Sequence, residues 1–348
     1  MNYKTIGILG GGQLGRMTAL AAAPLDLKVI CLTPESSSPT TGICQNIIAD
    51  CSDYNALDKF ADLVDIISYE SENIPLTTAE YLSDKKPIAP SIEVLKICQN
   101  RLREKTFINN IGIKTADFID IKSLADLQNG VAQFGGKAIL KTAEQGYDGK
   151  GQVKINAPNE CEAAYNKLAD NKLILESIVV FEKEISVIVA RNKSGDTACY
   201  EPVENIHENH ILRQTIAPAQ ISDDLSKKAK QIAIKIADEI GLIGLIAVEM
   251  FVCGDDLLVN ELAPRPHNSG HYTIDACITS QFEQFLRAIT NLPLGNTAQH
   301  SKAEMINILG DEIHDIEQHL NQPNTKTHTY AKREARVGRK MGHVVKLG

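Results

Sequence analysis

Residues 245–271 read LIAVEMFVCGDDLLVNELAPRPHNSGH, and this stretch decides how the whole chain folds. Two apolar runs, 245–252 and 257–262, flank Gly254-Asp255-Asp256, the pattern of two strands joined by a short turn. A turn closing symmetrically about Asp255 sets Glu249 opposite Glu261, so that two carboxylates point the same way from adjacent strands. Like charges directly across a ladder repel, and desolvating them costs several kcal/mol per ion unless a cation lies between. Mg2+ suits that place, because it takes carboxylate oxygens and shares its shell with nucleotide phosphates. An exposed hairpin edge with two solvated glutamates is the competing reading, and the hairpin alone does not choose. The residues after Glu261 favour a site. Pro264 and Pro266 stop the ladder and leave Arg265, His267, Asn268, Ser269 and His271 in a short irregular segment, a set of donors suited to an anionic substrate.

The 348 residues carry a formal net charge of -8 and 43% hydrophobic residues, which describes a soluble globular protein with room for two or three domains. The acidity argues against a nucleic-acid surface, and no apolar run approaches the length of a membrane span. Eight scattered cysteines without a CxxC pair read as reduced packing residues of a cytoplasmic protein.

Residues 4–98 alternate strand and helix, the pattern of a doubly wound parallel sheet. Gly10, Gly12 and Gly15 satisfy GxGxxG between the first strand and the helix starting at Gln13, where a backbone can approach a phosphate; a tight turn without a ligand gives the same motif. Glu70 and Glu72 follow a fully apolar strand, at the end of the sheet where ligands bind. A helical stretch from Pro90 to the stop at Gly112 reads as the linker into a second unit of short strands. Within that unit Lys141, Gly146, Tyr147, Asp148, Gly149, Lys150, Gly151 and Gln152 form a glycine loop that could fold over a polyphosphate, although no GxxxxGK[ST] runs through it. Residues 172–178 read as a strand that could line a base pocket, and 182–191 as a strand with Glu184, Ser186 and Ile188 on one side. Two more strands surround His207 and Arg213, and the helix over 222–241 reads as scaffold. Near the end Lys332, Arg333, Arg336, Arg339, Lys340 and His343 gather positive charge, either a solvated turn or a clamp for a phosphate monoester.

Together GGGQLGRM (10–17), SYESENIP (68–75), KTAEQGYDGKGQ (141–152), FEKEISVIVAR (181–191), HILRQTIAPA (210–219), VNELAPRPHNSGH (259–271) and GRKMGH (338–343) resemble the N5-carboxyaminoimidazole ribonucleotide synthetases, the PurK-type members of the ATP-grasp superfamily. The resemblance implies an α/β chain in three domains: an N-terminal pre-ATP-grasp sheet over 1–98, a small α+β lid over 99–175, and a C-terminal α+β domain over 176–348. It implies ATP-dependent carboxylation of 5-aminoimidazole ribonucleotide by bicarbonate through carboxyphosphate, in purine synthesis.

By the same resemblance ATP would meet Arg101, Lys141, residues 146–152, Glu176, Ser177, Ile178, Val179, Glu184, His207, Asn260 and Glu261, with Mg2+, as two ions, on Glu249 and Glu261. Gln13, Leu14, Glu70, Arg265, His267, Asn268, Ser269, Lys332 and Arg339 would hold the ribonucleotide, with Glu72 nearly as good an acceptor as Glu70. Tyr147, Asp148, Lys150, Arg265, His267 and Asn268 would attend the chemistry, Asp148 orienting or deprotonating the amine. The family leads one to expect a homodimer and a downstream mutase that takes the product. Val337 stands where the family motif carries proline, and the chain stops soon after GRKMGH, where relatives run on for another helix. The nearest alternative is another ATP-grasp carboxylate-amine ligase or a formate-using purine enzyme; a more distant one is an NAD-dependent oxidoreductase resting on GxGxxG.

Overall fold

The computed structural model describes residues 4–144, 146 and 151–348. Four apolar runs, β1 (Thr5–Leu9), β2 (Lys28–Thr33), β3 (Gln45–Ile48) and β4 (Ile66–Tyr69), form a parallel sheet in the order β3-β2-β1-β4. A second sheet, antiparallel, holds β5 (Phe118–Ile121), β6 (Ala138–Thr142), β7 (Gln152–Ile155) and β8 (Leu173–Ser177) in the order β5-β8-β6-β7.

The rest of the chain builds one large antiparallel sheet from β9 (Lys183–Arg191), β10 (Thr197–Cys199), β11 (Val203–Glu208), β12 (Ile211–Ala217), β13 (Gly244–Cys253), β14 (Asp256–Ala263), β15 (Ala303–Leu309), β16 (Thr325–Thr329) and β17 (Lys340–Leu347). Its order is β14-β13-β9-β11-β12-β15-β17-β16, with β10 pairing β9. The alternation of β9 explains the layering. Ile185, Val187 and Val189 pack with Ala229, Ala233 and Ile236 of the helix Asp223–Glu239. Ile188 and Ala190 face the other way, towards Phe285 and Leu286 of the helix Gln281–Ile289 and the N-terminal sheet. Glu184 and Ser186 share the parity of Ile188, so their side chains point towards the N-terminal sheet as well.

Two expectations are corrected. The helical stretch after Pro90 is two helices, Ile92–Cys98 and Arg101–Asn110, because the Asn100 side chain accepts from the amides of Leu102 and Arg103 and starts a new helix. The second helix is no passive linker: its Lys105 donates to the Asn260 carbonyl at 3.2 Å, and its Glu104 accepts from the Leu262 amide at 3.0 Å.

The central turn also differs. Cys253 pairs with Asp256, so the turn is the two residues Gly254-Asp255, with Gly254 at φ +61°. That register alone would set Glu249 opposite Asn260. A bulge between Glu249 and Met250 leaves Asn260 as an extra residue on β14, and Glu249 faces Glu261 after all.

Candidate active site

Glu249 lies at the middle of three adjoining strands. Ser186 of β9 and Glu261 of β14 are its neighbours on either side, and Glu184 and His207 close the group. One ligand atom from each of Glu184, His207 and Glu249 lies within 4.8 Å of the others, the one such cluster among the described residues. His207 Nδ1 stands 3.0 Å from Glu184 Oε2, and His267 Nε2 3.0 Å from Glu249 Oε1. Burial pushes the Glu249 carboxyl up, but the His267 and His207 rings and Arg265 outweigh it and hold the group at about 2. Glu261 behaves oppositely: enclosure by the cleft walls and the charge of Glu249 raise it above the usual carboxylate range. A cation between the two facing carboxylates would relieve the repulsion that raises Glu261.

Alongside run the groups expected for a nucleotide. Arg101 donates to the carbonyls of Thr142 at 3.2 Å and Gly146 at 3.0 Å, and lies 4.0 Å from Glu261. Lys141 Nζ donates to Glu176 Oε2 at 2.9 Å, while Lys105 approaches the other oxygen at 3.6 Å. Glu176, Ser177, Ile178 and Val179 lead from β8 towards β9 beside them, and Gln152 contacts the ring of His210 at 3.5 Å. Tyr147, Asp148, Gly149 and Lys150 lie outside the described residues. Lys105 and Glu104 were missed by sequence reasoning. Burial raises the Glu104 carboxyl to about 8, with Glu261 adding to the effect, and burial lowers the Lys105 ammonium.

Where the large sheet meets the N-terminal sheet, Arg265 grips Glu72 with two nitrogens, at 2.6 and 3.1 Å. Glu70 is engaged elsewhere. Its two oxygens accept from the amides of Gly12 at 2.6 Å and Gly15 at 2.8 Å, so the GxGxxG turn is filled by the protein's own carboxylate. A pyrophosphate would have to displace it, which removes the dinucleotide reading. Leu14 turns its side chain into a core cluster with Met17, Phe282 and Tyr330, whereas Gln13 stands half-buried at the start of the helix. Ser269 is fully buried, its hydroxyl committed to His267 and Ser186 rather than turned to the cleft. The Asn268 carboxamide oxygen is buried without a partner among the described residues. Lys332 Nζ donates to the Lys340 carbonyl at 2.7 Å, and Arg339 to the Glu334 carbonyl at 3.1 Å. The turn carrying Arg339 closes without proline: the Arg339 amide reaches the Arg336 carbonyl at 2.9 Å, with Gly338 at φ +75° and Val337 fully exposed.

An antiparallel lid sheet facing a carboxylate hairpin across Arg101 and Lys141 defines an ATP-grasp protein, and residues 106–282 match the ATP-grasp domain model. Residues 3–99 match the ribonucleotide synthetase preATP-grasp domain, and 303–348 the phosphoribosylaminoimidazole carboxylase C-terminal domain. The chain is 43% identical to the N5-carboxyaminoimidazole ribonucleotide synthase of Brucella melitensis, over 99% of its own length and 96% of that protein. It is 45% identical to the bifunctional purine synthesis protein purC/E of Dictyostelium discoideum, of which it spans 37%.

Among solved structures, the ADP complex of purK, an N5-carboxyaminoimidazole ribonucleotide synthetase, superposes with a TM-score of 0.95 at 43% identity, covering 99% of this chain and 92% of that one. The Aspergillus clavatus enzyme in complex with ADP and 5-aminoimidazole ribonucleotide gives 0.93 at 30% identity, covering 100% and 94%. The chain belongs to the N5-carboxyaminoimidazole ribonucleotide synthase family.

Proposed function

We propose that this chain joins bicarbonate to the exocyclic amine of 5-aminoimidazole ribonucleotide with hydrolysis of ATP to ADP and phosphate, as an ATP-dependent ligase of purine biosynthesis. The observation that carries the reading is the register of Glu249 against Glu261, one strand away from Glu184 and directly before Arg265 and His267. Paired carboxylates of this kind fit Mg2+, with Glu249 and Glu261 holding it and Asn260 beside them. Bound there, the metal would neutralise charge on the phosphoryl oxygens of ATP.

The chain's own groups do the rest by position and charge. Lys141 and Arg101 are cations on the lid side of the cleft, and Glu176 accepts from Lys141. Bicarbonate is a poor electrophile; phosphorylation by ATP converts it to carboxyphosphate, whose carboxyl carbon the amine then takes. Arg265, fixed by Glu72 and by the Pro266 carbonyl at 3.3 Å, keeps one N–H on each terminal nitrogen for that anion, and the Asn268 oxygen, unpartnered among the described residues, is free for a substrate donor. Asp148 is assigned the amine proton from the family motif. Lys332 and Arg339 are assigned the ribose phosphate. No described helix is long and apolar enough to cross a membrane, and a homodimer in the cytoplasm, handing its product to a mutase, fits the family.

Lys332 gives this reading a pH dependence. Burial, and then the charges of Arg339 and Lys340, lower its ammonium to about 8. A phosphate needs the charged form, so affinity is complete below that value and is lost as pH rises through it. The KM for the ribonucleotide should climb by up to about tenfold per unit above pH 8, while the KM for ATP stays level. Lys332→Met should raise KM at neutral pH and abolish the alkaline rise. The function itself is tested by ADP release with ATP and Mg2+, omitting the ribonucleotide and bicarbonate in turn. Release that requires both, with labelled bicarbonate entering an acid-labile product, is the expected result. ADP release indifferent to the ribonucleotide would reject it.

A further inference from the structure

Behind His267 runs a line of buried hydrogen bonds that none of the cleft chemistry above uses. His267 Nδ1 lies 2.8 Å from Ser269 Oγ, Ser269 Oγ 2.7 Å from Ser186 Oγ, and Ser186 Oγ 2.9 Å from Asn205 Nδ2. Thr215 Oγ1 closes the line on Asn205 Oδ1 at 3.1 Å. Ser186, Asn205, Thr215 and Ser269 are all buried, at 1%, 4%, 0% and 0% exposure, out of reach of bulk solvent.

The placement of the Asn205 carboxamide sets the direction in which the line runs. The Asn205 NH2 can only donate and points at Ser186 Oγ, while its Oδ1 can only accept and takes the Thr215 hydroxyl proton. Ser186 Oγ therefore accepts from Asn205 and spends its one proton on Ser269 Oγ. Ser269 Oγ accepts from Ser186 and has its own proton left for His267 Nδ1, its neighbour at 2.8 Å. The Ser269 backbone amide also donates to that same nitrogen, at 3.3 Å. Nδ1 is thus an acceptor twice over, and the ring proton sits on Nε2, facing Glu249 Oε1 at 3.0 Å.

We propose that Asn205, Ser186 and Ser269 are positioning residues that hold His267 in the Nε2–H tautomer, making it a fixed hydrogen-bond donor to Glu249. The His267 ring then orients the carboxylate that faces Glu261, and it does not serve as the base that takes the amine proton. Carboxylates that hold a metal are themselves held by hydrogen bonds, and loss of such outer support costs about 10–100-fold in affinity or activity. Gln281 steadies the same residue from the other side: its carboxamide accepts from the His267 amide at 2.9 Å and donates to the His267 carbonyl at 2.8 Å. The inference rests on the proposed function only for its kinetic consequence, not for the tautomer.

The test is a long-range 1H–15N correlation of the full chain labelled in its nine histidines, taken at about pH 8, above the ordinary imidazole range. His267→Asn identifies the ring by the cross-peaks it removes. The expected spectrum shows a pyridine-type shift at Nδ1 and a pyrrole-type shift at Nε2. Asn205→Asp, nearly isosteric but unable to donate, should reverse the line and move the proton to Nδ1. Carboxylation should then fall about tenfold or more with KM for ATP unchanged. Ser186→Ala breaks the line without adding a charge and should give mixed tautomers, which covers the case in which Asn205→Asp does not fold. A proton on Nδ1 in the unsubstituted chain, or an Nε2–H ring untouched by Ser186→Ala, overturns the proposal. Absence of ribonucleotide-dependent turnover beside the expected spectrum would instead reject the function and leave the tautomer assignment standing.

Discussion

Glu261→Gln leaves the chain folded and lowers Mg2+-dependent turnover by about 10²–10³-fold, the scale of removing one electrostatic stabiliser from a transition state. The fold tolerates it because the Glu261 side chain is 48% exposed on the cleft and its nearest cation, Arg101, stands 4.0 Å away with two carbonyl partners of its own. No buried charge is stranded, and the repulsion that raises the Glu261 carboxyl is relieved. Glu249→Gln should show the same kinetic loss but a lower thermal midpoint, because this carboxylate is buried against the His267 ring. Turnover measured across an Mg2+ titration, with a melting curve for each variant, separates the two effects. Near-normal turnover in Glu261→Gln would remove the hairpin from the metal chemistry.

Arg265→Ala carries the second large effect, and it falls on stability as well as activity. Arg265 and Glu72 retain only 20% and 24% side-chain exposure, and their bidentate pair joins the segment after β14 to the loop after β4. Removing one partner leaves the other charge enclosed, a loss of about 3 kcal/mol at the lower end of the range for buried pairs. The pH dependence has a definite sign. Burial raises the Glu72 carboxyl, but Arg265 more than reverses this, so its folded value lies below the ordinary one. Its contribution is present above the unfolded carboxylate pKa and is lost as pH falls through the depressed folded value. Denaturant midpoints measured between neutral and acid pH should therefore slope in the parent chain and flatten in Arg265→Ala. A parallel pair of curves would contradict the assignment.

Periodicity made much of the fold legible in the sequence. A period of two placed Glu184, Ser186 and Ile188 on one face of β9, and alternating strand and helix pointed to the parallel N-terminal sheet. The opposition of Glu249 and Glu261 was reached through an assumed symmetric turn; in the molecule a two-residue turn and a bulge compensate each other. Bulges leave little trace in one sequence, which is why Asn260 could not be seen as the inserted residue. The cluster of Glu184, His207 and Glu249 depends on the order β13-β9-β11, a matter of topology that local patterns do not encode. Glu104 and Lys105 were illegible for another reason: charged residues in a short helix read as a solvated face, and only packing against β14 buries them. Glu70 stood at the right end of the sheet, yet its oxygens cap the first helix, because Gly12 and Gly15 leave room for a carboxylate where a Cβ would collide with it.

In the proposed reaction ATP phosphorylates bicarbonate rather than the ribonucleotide, and oxygen transfer reports this directly. With bicarbonate labelled in all its oxygens and the ribonucleotide present, the inorganic phosphate released should carry one oxygen from bicarbonate, read by mass spectrometry. Unlabelled phosphate accompanied by carboxylated product would contradict the carboxyphosphate route, since the phosphoryl group would then have passed to water or to another acceptor.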